Sequence, residues 1–221
     1  MYRLVKRVFD FIVALIVISI LLPFLIPISI VLRCTAEGEI FYMQERMGFK
    51  NHKFKIFKFA TMLKDSLNLG TGSITLTGDF RVTSIGKYLR SSKINELPQL
   101  YNILKGDISI VGPRPVLEQD WLLYPDNVRD KIYDVKPGLT GIGSIIFRDE
   151  ESIVSNINDE DPHMFFKSVV APFKGELEMW YQEHRSFLLD FKLILMTAWV
   201  ILVPATKLYE KWFKDLPKRT F

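Results

Sequence analysis

The sequence predicts an α+β fold: a single compact domain that a hydrophobic N-terminal segment attaches to a membrane. Three observations lead to this fold class. Residues 11–32 carry no charged side chain, apolar runs rich in strand-forming residues flank a basic turn between residues 40 and 62, and helical patterns follow. A length of 221 residues suits one domain of ordinary size. We therefore predict a membrane segment at residues 1–33 and one domain at residues 34–221.

The N-terminal segment is long enough to cross a membrane. It is too long for the apolar part of a cleaved signal peptide, and no small-residue cleavage motif follows it. Pro23 and Pro27 each remove a backbone donor from a helix at this point. Cations on both flanks give the positive-inside rule no asymmetry to act on. These residues leave two geometries open: a spanning helix, and a re-entrant helix that is bent at proline so that both ends return to one face.

The charge pattern narrows the class of partner. The net charge is +4, but the basic residues are scattered along the chain rather than concentrated on one element. This distribution argues against nucleic acid as a partner. The only cysteine, Cys34, excludes a disulfide within the chain and is consistent with a reducing compartment.

The remaining elements follow in order. Residues 40–44 and 55–62 predict strands, residues 64–83 a loop, residues 85–92 a short helix and residues 107–112 another strand. The sequence "PRP" at 113–115 predicts a rigid corner, and "VKPGLTGIG" at 135–143 a second loop. Residues 163–185 are amphipathic and rich in aromatics. The uncharged run at 193–206 is short for a span, so a buried helix or one lying on a membrane surface is expected. The basic, aromatic tail fits an anionic membrane surface or solvent.

Asn95 and Glu96 stand where the next helix is predicted to begin. Apolar residues recur at helical spacing from Ile94 to Leu104, and Gly106 fits the C-terminal cap. Asn95 is a good N-cap residue, and Glu96 suits the positive end of a helix dipole. The same helix end could instead hold a phosphate and keep a carboxylate ionised. Nearby arginines match phosphate geometry and are candidates to assist; they are Arg81, Arg90 and Arg114.

Together these stretches resemble the bacterial sugar transferase family, the small monotopic phosphoglycosyl transferases that act on polyprenyl phosphate. The resemblance covers almost the whole chain. It is carried by "KRVFDFIVALIVISILLP", "QERMG", "FKIFKFATM", "GDFRVTSIGKYLRSSKINELPQLYNILKGDISIVGPRP" and "VKPGLTG". So long an ordered set of motifs is highly specific.

The resemblance implies a transfer of sugar 1-phosphate from a nucleoside diphosphate sugar, typically a UDP-sugar, to undecaprenyl phosphate, with release of UMP. This is the first membrane step in the assembly of exopolysaccharide, O-antigen or glycoprotein glycans. The family uses Mg²⁺, which prefers oxygen ligands and can share itself between a carboxylate and a diphosphate. Its membrane segment is re-entrant, with the break at the position of Pro23 here. The implied location is the cytoplasmic face of the bacterial inner membrane, among membrane lipids. The sugar, the pathway and self-association stay open.

The resemblance also assigns residue roles. Glu96 matches the family's metal-binding glutamate, so it is the predicted catalytic centre and Mg²⁺ ligand. Asn95 stands where the family has a nucleophilic aspartate, and a neutral amide is a poor nucleophile. Arg90 and Arg114 are predicted to hold phosphate oxygens, and Pro113 and Pro115 to shape the pocket. Asp79 and Arg81 are predicted to organise the site from the preceding loop, with Arg81 also a candidate phosphate ligand and Asp79 part of the pocket. Lys58 is either a further phosphate contact or an ordinary strand lysine.

The departure at Asn95 leaves several explanations open. Glu96, or another carboxylate such as Asp79 or Asp107, could act as nucleophile. Alternatively, the acceptor phosphate could attack directly with Asn95 as a hydrogen-bond partner, or Asn95 could be a deliberate replacement of aspartate that traps substrate. The chain could also be a catalytically impaired relative that serves as a membrane adaptor in a glycan-assembly complex. Leu22 and Ala60 are further departures, since the family usually has Ser and Arg there.

Overall fold

The structure is a computed structural model that describes residues 2–35, 37–72, 74–156, 161–203, 206–213, 215–219 and 221. In these residues the helices are α1 Tyr2–Cys34, α2 Ser84–Ser91, α3 Gln99–Lys105, α4 Glu118–Trp121, α5 Asp126–Arg129, α6 Ile142–Ile146, α7 Glu150–Ser155, α8 Pro162–Phe165, α9 Ala171–His184, α10 Phe187–Leu202 and α11 Leu208–Trp212. The strands are β1 Phe41–Met47, β2 Lys53–Phe59, β3 Ser109–Val111 and β4 Gly138–Thr140. Short 3₁₀ turns lie at Phe49–Asn51, Ser66–Asn68 and Ile94–Glu96, and a π-helical turn at Phe166–Val170 joins α8 to α9. This mixture of helix and strand confirms the α+β fold class.

The first sheet contains the two strands that were predicted on either side of the basic turn. Strands β1 and β2 pair antiparallel, with Phe41 opposite Phe59 and Met47 opposite Lys53. The basic turn between them places Lys50 and Asn51 at positive φ. Because side chains alternate along a strand, every second residue of β1 faces the same side. Tyr42, Gln44 and Arg46 therefore share one face of β1, and Tyr42 stands opposite Lys58.

The second sheet was predicted only in part. Strand β3 lies in the predicted "DISIVG" segment, but residues 138–140, expected to be loop, form β4 and pair parallel with it. A parallel pair needs a long crossover, and the chain between the strands supplies α4 and α5. The pair lies in the largest hydrophobic core, which also takes in residues of α3, α6, α9 and α10.

Helix α1 is attached to the domain near both of its ends. Arg7 donates to the carbonyl oxygens of Ile103 at 2.5 Å and Leu104 at 2.8 Å, at the end of α3. Asp10, 3% exposed, accepts from the Ser109 hydroxyl at 2.6 Å. Near the other end, Leu32 joins a separate buried cluster with Phe59 and Leu89. The helix continues through Pro23 and Pro27 without an assigned interruption, so the re-entrant course stays a prediction.

Helix α10 is apolar on both its buried and its exposed side. It buries Leu189, Leu193, Met196 and Val200, and it exposes Leu188, Phe191, Leu195, Trp199 and Leu202. The helix is therefore partly buried in the core, as one of the two predicted alternatives expected. Farther along, Phe213 and Leu216 are buried in the same core, so these residues of the tail pack on the domain.

Candidate active site

The site is built around the 3₁₀ turn that separates α2 from α3. Lys93 precedes this turn in the left-handed conformation, with φ at 61°. Ile94 packs against the cluster around Leu32, whereas Leu97 packs against the main core. The two residues between them, Asn95 and Glu96, line a cavity of about 930 Å³. Such a volume is sufficient for a ligand of nucleotide-sugar size.

Glu96 lies between two cations. Its Oε1 atom is 3.2 Å from Nη2 of Arg114 and 3.6 Å from Nζ of Lys58, and its side chain is 15% exposed. Burial by itself would raise the pKa of Glu96, but the charges of Arg114, Lys58 and Lys93 outweigh it and hold that pKa well below its usual range. The side chain is thus a stably ionised carboxylate whose two ion-pair partners, Arg114 and Lys58, come from other elements of the fold.

Lys58 has an unusual electrostatic environment. Burial, reinforced by the positive charges of Arg46, Arg114 and Arg90, lowers the pKa of Lys58 to about 7, although Glu96 opposes this effect. An amine with such a pKa gains or loses its charge near neutral pH. It gains full charge when an anion enters beside it.

Asn95 does not cap a helix, so the capping interpretation was wrong. Helix α3 begins at Gln99, and no side chain caps its first turn. The left-handed Lys93 instead redirects the chain, and Asn95 becomes 6% exposed. Its Oδ1 atom is buried, and no group among the described residues donates a hydrogen bond to it. An unsatisfied acceptor of this kind costs free energy, about 1–3 kcal/mol, and it is available to a ligand that supplies a donor or a cation.

Arg90 and Arg114 both line the cavity. Arg90, on α2, forms an ion pair with the exposed carboxylate of Glu151. Arg114 also approaches the Ser144 hydroxyl, at 3.5 Å from Nη1. Exposed ion pairs contribute little free energy, so the guanidinium of Arg90 can exchange Glu151 for a phosphate oxygen.

Arg81 is buried in the loop that precedes α2, beside Asp79. Its guanidinium is 1% exposed and donates to Asp79 and to the carbonyl oxygens of Ser66, Leu69, Gly72 and Ile74. Hydrogen bonds from Arg81 hold the pKa of Asp79 below its usual range. All of these hydrogen bonds from Arg81 go to residues of the loop at 64–83. The geometry therefore argues against a direct phosphate contact by Arg81 and favours an organising role for the pair.

The "PRP" corner holds Arg114 in place through close backbone packing. Pro113 accepts a hydrogen bond from the Gly138 N–H at 2.8 Å, and Gly112 donates to Thr140 at 3.0 Å. A Cβ atom on Gly138 would lie 2.1 Å from the Gly112 nitrogen, so only glycine permits this approach. Pro113 and Pro115 are buried, and neither lines the cavity. Their contribution is to the backbone that presents Arg114.

Sequence reasoning missed several groups around the cavity. Arg46 follows Tyr42 and Gln44 at alternate positions of β1, and all three line the cavity. This alternation was readable in the sequence. Glu178 on α9 could not be predicted from the sequence. It is 3% exposed, and its Oε1 accepts a hydrogen bond from the Arg114 backbone N–H at 3.3 Å. Its role depends on packing between elements distant in sequence.

The donor set is compatible with Mg²⁺ only if the substrate completes it. No group of three or more His, Cys, Asp or Glu side chains that could hold a metal occurs in the part of the chain that the structure describes. Glu96 and the unpartnered Oδ1 of Asn95 offer adjacent protein oxygens. Mg²⁺ is commonly held by one or two carboxylates plus substrate phosphates, so these residues are compatible with an ion that a bound diphosphate helps to hold.

Comparison with known proteins gives the same family as the motifs. The pattern that defines bacterial sugar transferases matches residues 1–204. An uncharacterized sugar transferase of Bacillus subtilis is 32% identical over 90% of this chain and 88% of its own length. A UDP-galactose-lipid carrier transferase of Erwinia amylovora is also 32% identical, over 90% of this chain and 41% of its own length. An undecaprenyl-phosphate glucose phosphotransferase of Komagataeibacter xylinus is 35% identical over 63% of this chain and 27% of its own length.

The relatives differ in how much of their own length this chain covers. The chain spans less than half the length of the Erwinia and Komagataeibacter proteins, but nearly all of the Bacillus protein. The matched region contains α1, the Glu96 turn and the "PRP" corner. The chain belongs to the bacterial sugar transferase family.

Proposed function

We propose that the protein transfers a sugar 1-phosphate from a UDP-sugar to undecaprenyl phosphate, giving undecaprenyl-diphospho-sugar and UMP in exopolysaccharide or related glycan synthesis. The relatives with named activities are transferases of this kind. The observation that carries the proposal is the ionised Glu96 held between Arg114 and Lys58 in a cavity of matching size. The comparisons give no support to the adaptor alternative.

Three cations bind the diphosphate in this proposal. Arg114 and Lys58 turn from Glu96 toward phosphate oxygens, and Arg90 releases Glu151 to do the same. Guanidinium groups suit this task because they pair with phosphate bidentately. Arg81 and Asp79 keep the neighbouring loop in shape.

Three carboxylates were candidates for the nucleophile, Glu96, Asp79 and Asp107, and their surroundings favour direct attack by the acceptor instead. Glu96 is too strongly stabilised by its cations to be a good nucleophile. Asp79 is engaged by Arg81. Asp107 accepts from Asn102 at 3.0 Å and does not line the cavity. With Asn95 uncharged, none of these groups is suited to form a phosphosugar-enzyme intermediate.

The transfer step then proceeds as follows. An oxygen of the acceptor phosphate attacks the phosphorus that carries the sugar. The bond from that phosphorus to the bridging oxygen breaks, and UMP leaves with the electron pair. Arg114 and Lys58 stabilise the charge that spreads over the transferring phosphoryl group. Glu96 and Asn95 would hold Mg²⁺, which when bound neutralises part of the diphosphate charge.

The membrane geometry is part of the proposal. Helix α1 is the one helix in the described residues that is long and apolar enough to cross a membrane. If straight, its 33 residues would extend about 50 Å. Contacts with the same domain at Arg7, Asp10 and Leu32, near both ends of α1, support a re-entrant course. Pro23 is the proposed position of the bend, because proline removes a backbone donor there. The site would then face the cytoplasmic leaflet of the inner membrane.

The test is release of UMP from a panel of UDP-sugars by the purified full chain with undecaprenyl phosphate and Mg²⁺. We expect release with at least one sugar and none without acceptor. Silence across a broad panel would overturn the proposal. For topology, an impermeant thiol reagent outside intact cells should leave the exposed Cys34 unlabelled; labelling would favour a spanning helix.

A further inference from the structure

The cavity that contains Glu96 has a second, apolar wall. Besides the charged residues, its lining includes Leu97, Ile110, Leu139, Ile194, Ala198 and Ile201. The last three belong to α10, which is distant in sequence from the Glu96 turn. One continuous cavity therefore offers cations at one part and aliphatic surface at another.

The α10 residues form a row that opens to the outside. Ile194, Ala198 and Ile201 are spaced i, i+4 and i+7, so they share one face of the helix. Ile194 is half-buried, whereas Ala198 and Ile201 are exposed. The row thus leads from the interior of the cavity to the surface along the helix.

The polar atoms of this wall are satisfied within the protein. Thr197 also lines the cavity, and its hydroxyl donates to the Leu193 carbonyl at 2.7 Å. The same hydroxyl lies 2.7 Å from that of Thr140. With these groups bonded to one another, the wall presents mainly hydrocarbon to a ligand.

The outer surface of α10 adjoins the membrane helix. Phe9 of α1 packs edge to face against Phe187 at the start of α10, with ring centroids 5.3 Å apart. From there an exposed apolar surface continues along the helix at Phe191, Trp199 and Leu202, which are 50%, 46% and 78% exposed. Exposed apolar surface of this extent beside a membrane helix is expected to face lipid.

We propose that Ile194, Ala198 and Ile201 line the entry path and binding surface for the first isoprene units of the polyprenyl carrier, whose phosphate reaches Arg114 and Lys58. The proposal rests on the proposed function and adds the location of the acceptor lipid. A single amphiphile of this kind matches both parts of the cavity: its anionic head meets the cations, and its unsaturated hydrocarbon chain meets α10. Burial of the first units against this row contributes affinity through the hydrophobic effect.

The first test is a kinetic comparison of Ala198→Trp with Leu195→Trp in the full chain. Ala198 is exposed and lines the cavity, so an indole there fills the path without disturbing the core. Leu195 is also exposed on α10 but does not line the cavity, which makes it the matched control. We expect Ala198→Trp to raise KM for undecaprenyl phosphate about tenfold, with KM for the UDP-sugar unchanged and Leu195→Trp near wild type. Equal behaviour of the two variants would overturn the proposal.

The second test does not depend on turnover. The wild-type chain in nanodiscs is irradiated with a polyprenyl phosphate that carries a diazirine within its first two isoprene units. We expect labelled peptides to map to residues 194–201, and labelling to fall in Ala198→Trp but not in Leu195→Trp. Labelling confined to α1 would refute the assignment. If the chain binds lipid at α10 but releases no UMP, the proposed function fails while the lipid site stands.

Discussion

Nη2 of Arg114 lies 3.2 Å from Oε1 of Glu96, and the two residues are 18 positions apart in the chain. The glutamate comes from the turn before α3, and the arginine comes from the corner after β3. Their contact brings together the two motifs on which the site depends. Removal of the arginine leaves Glu96, whose side chain is only 15% exposed, without its nearest counter-charge, and this makes the pair testable.

Glu96→Gln should separate binding from turnover. Without the carboxylate, the permanently charged Arg114 lacks its counter-charge and attracts phosphate more strongly, so the dissociation constant for the UDP-sugar should fall severalfold. Turnover should fall about 100-fold or more, because the oxygen proposed for Mg²⁺ and the positioning of Arg114 are both lost. Calorimetric titration and UMP release measure the two effects. Glu118→Gln, whose glutamate pairs with Lys53 away from the cavity, is the control. Parallel losses of binding and turnover would contradict this explanation.

Asn95→Asp should change the chemical route. The new carboxylate occupies the position of the family's nucleophile, so a phosphosugar adduct on the enzyme becomes accessible. Wild-type protein incubated with UDP-sugar and no acceptor should show no adduct by intact mass, whereas Asn95→Asp should gain the mass of the sugar phosphate. Asn95→Ala is the matched control, since it removes the amide without adding a nucleophile. An adduct on the wild-type chain would rule out direct transfer.

Lys58→Arg should alter the pH dependence of kcat/KM for the UDP-sugar. Because burial, followed by neighbouring cations, lowers the pKa of Lys58 to about 7, the free enzyme loses this positive charge as the pH rises through neutrality. We expect kcat/KM for the UDP-sugar to decline above about pH 7 in the wild type, since this ratio reports the free enzyme. Arginine stays charged, so the decline should move to higher pH in the variant. Lys55→Arg, on the exposed face of the same strand, should keep the wild-type profile. An unchanged profile in Lys58→Arg would assign the titration to another group.

The parts of the fold that sequence reasoning predicted are those fixed locally. Strands β1 and β2 follow from β-rich residues on either side of a basic turn, and Gly106 ends α3 at φ 92° as its position indicated. Strand β4 was missed because its partner is β3, across a long crossover, and pairing of that kind leaves little trace in a short window. The prediction that Asn95 caps a helix failed for a local reason, because the left-handed Lys93 starts a separate turn.

The candidate site likewise has residues that local motifs identify and others whose role depends on the folded structure. Glu96, Arg90 and Arg114 could be named because ordered motifs carry them, and all three line the cavity. Arg81 belongs to the same motifs, yet its burial under carbonyl oxygens depends on how the loop folds back on itself. The low pKa of Lys58 arises from burial among cations contributed by β1, α2 and the "PRP" corner. Such a shift has no signature in the sequence around position 58.

Glu178→Gln should change how stability depends on pH. Burial raises the pKa of Glu178 to about 7, against the opposing hydrogen bond from the Arg114 N–H and the charges of Lys174 and Arg114. A raised pKa means that the folded state holds a proton which the unfolded state releases above its ordinary value. The stabilisation from this proton is therefore complete below about pH 4.5 and is lost as the pH rises through about 7.

The variant removes this titration while keeping an acceptor for the Arg114 N–H. Between pH 5 and 8 the wild type should lose free energy of unfolding relative to Glu178→Gln, by up to about 3 kcal/mol. Thermal unfolding in nanodiscs across this range measures the difference. Glu176→Gln, exposed on the same helix, should track the wild type. Parallel curves for wild type and Glu178→Gln would show that Glu178 is ionised at all these pH values. Its carboxylate would then have to be stabilised by Lys174 and Arg114, and the backbone of Arg114 would be held by a charged acceptor.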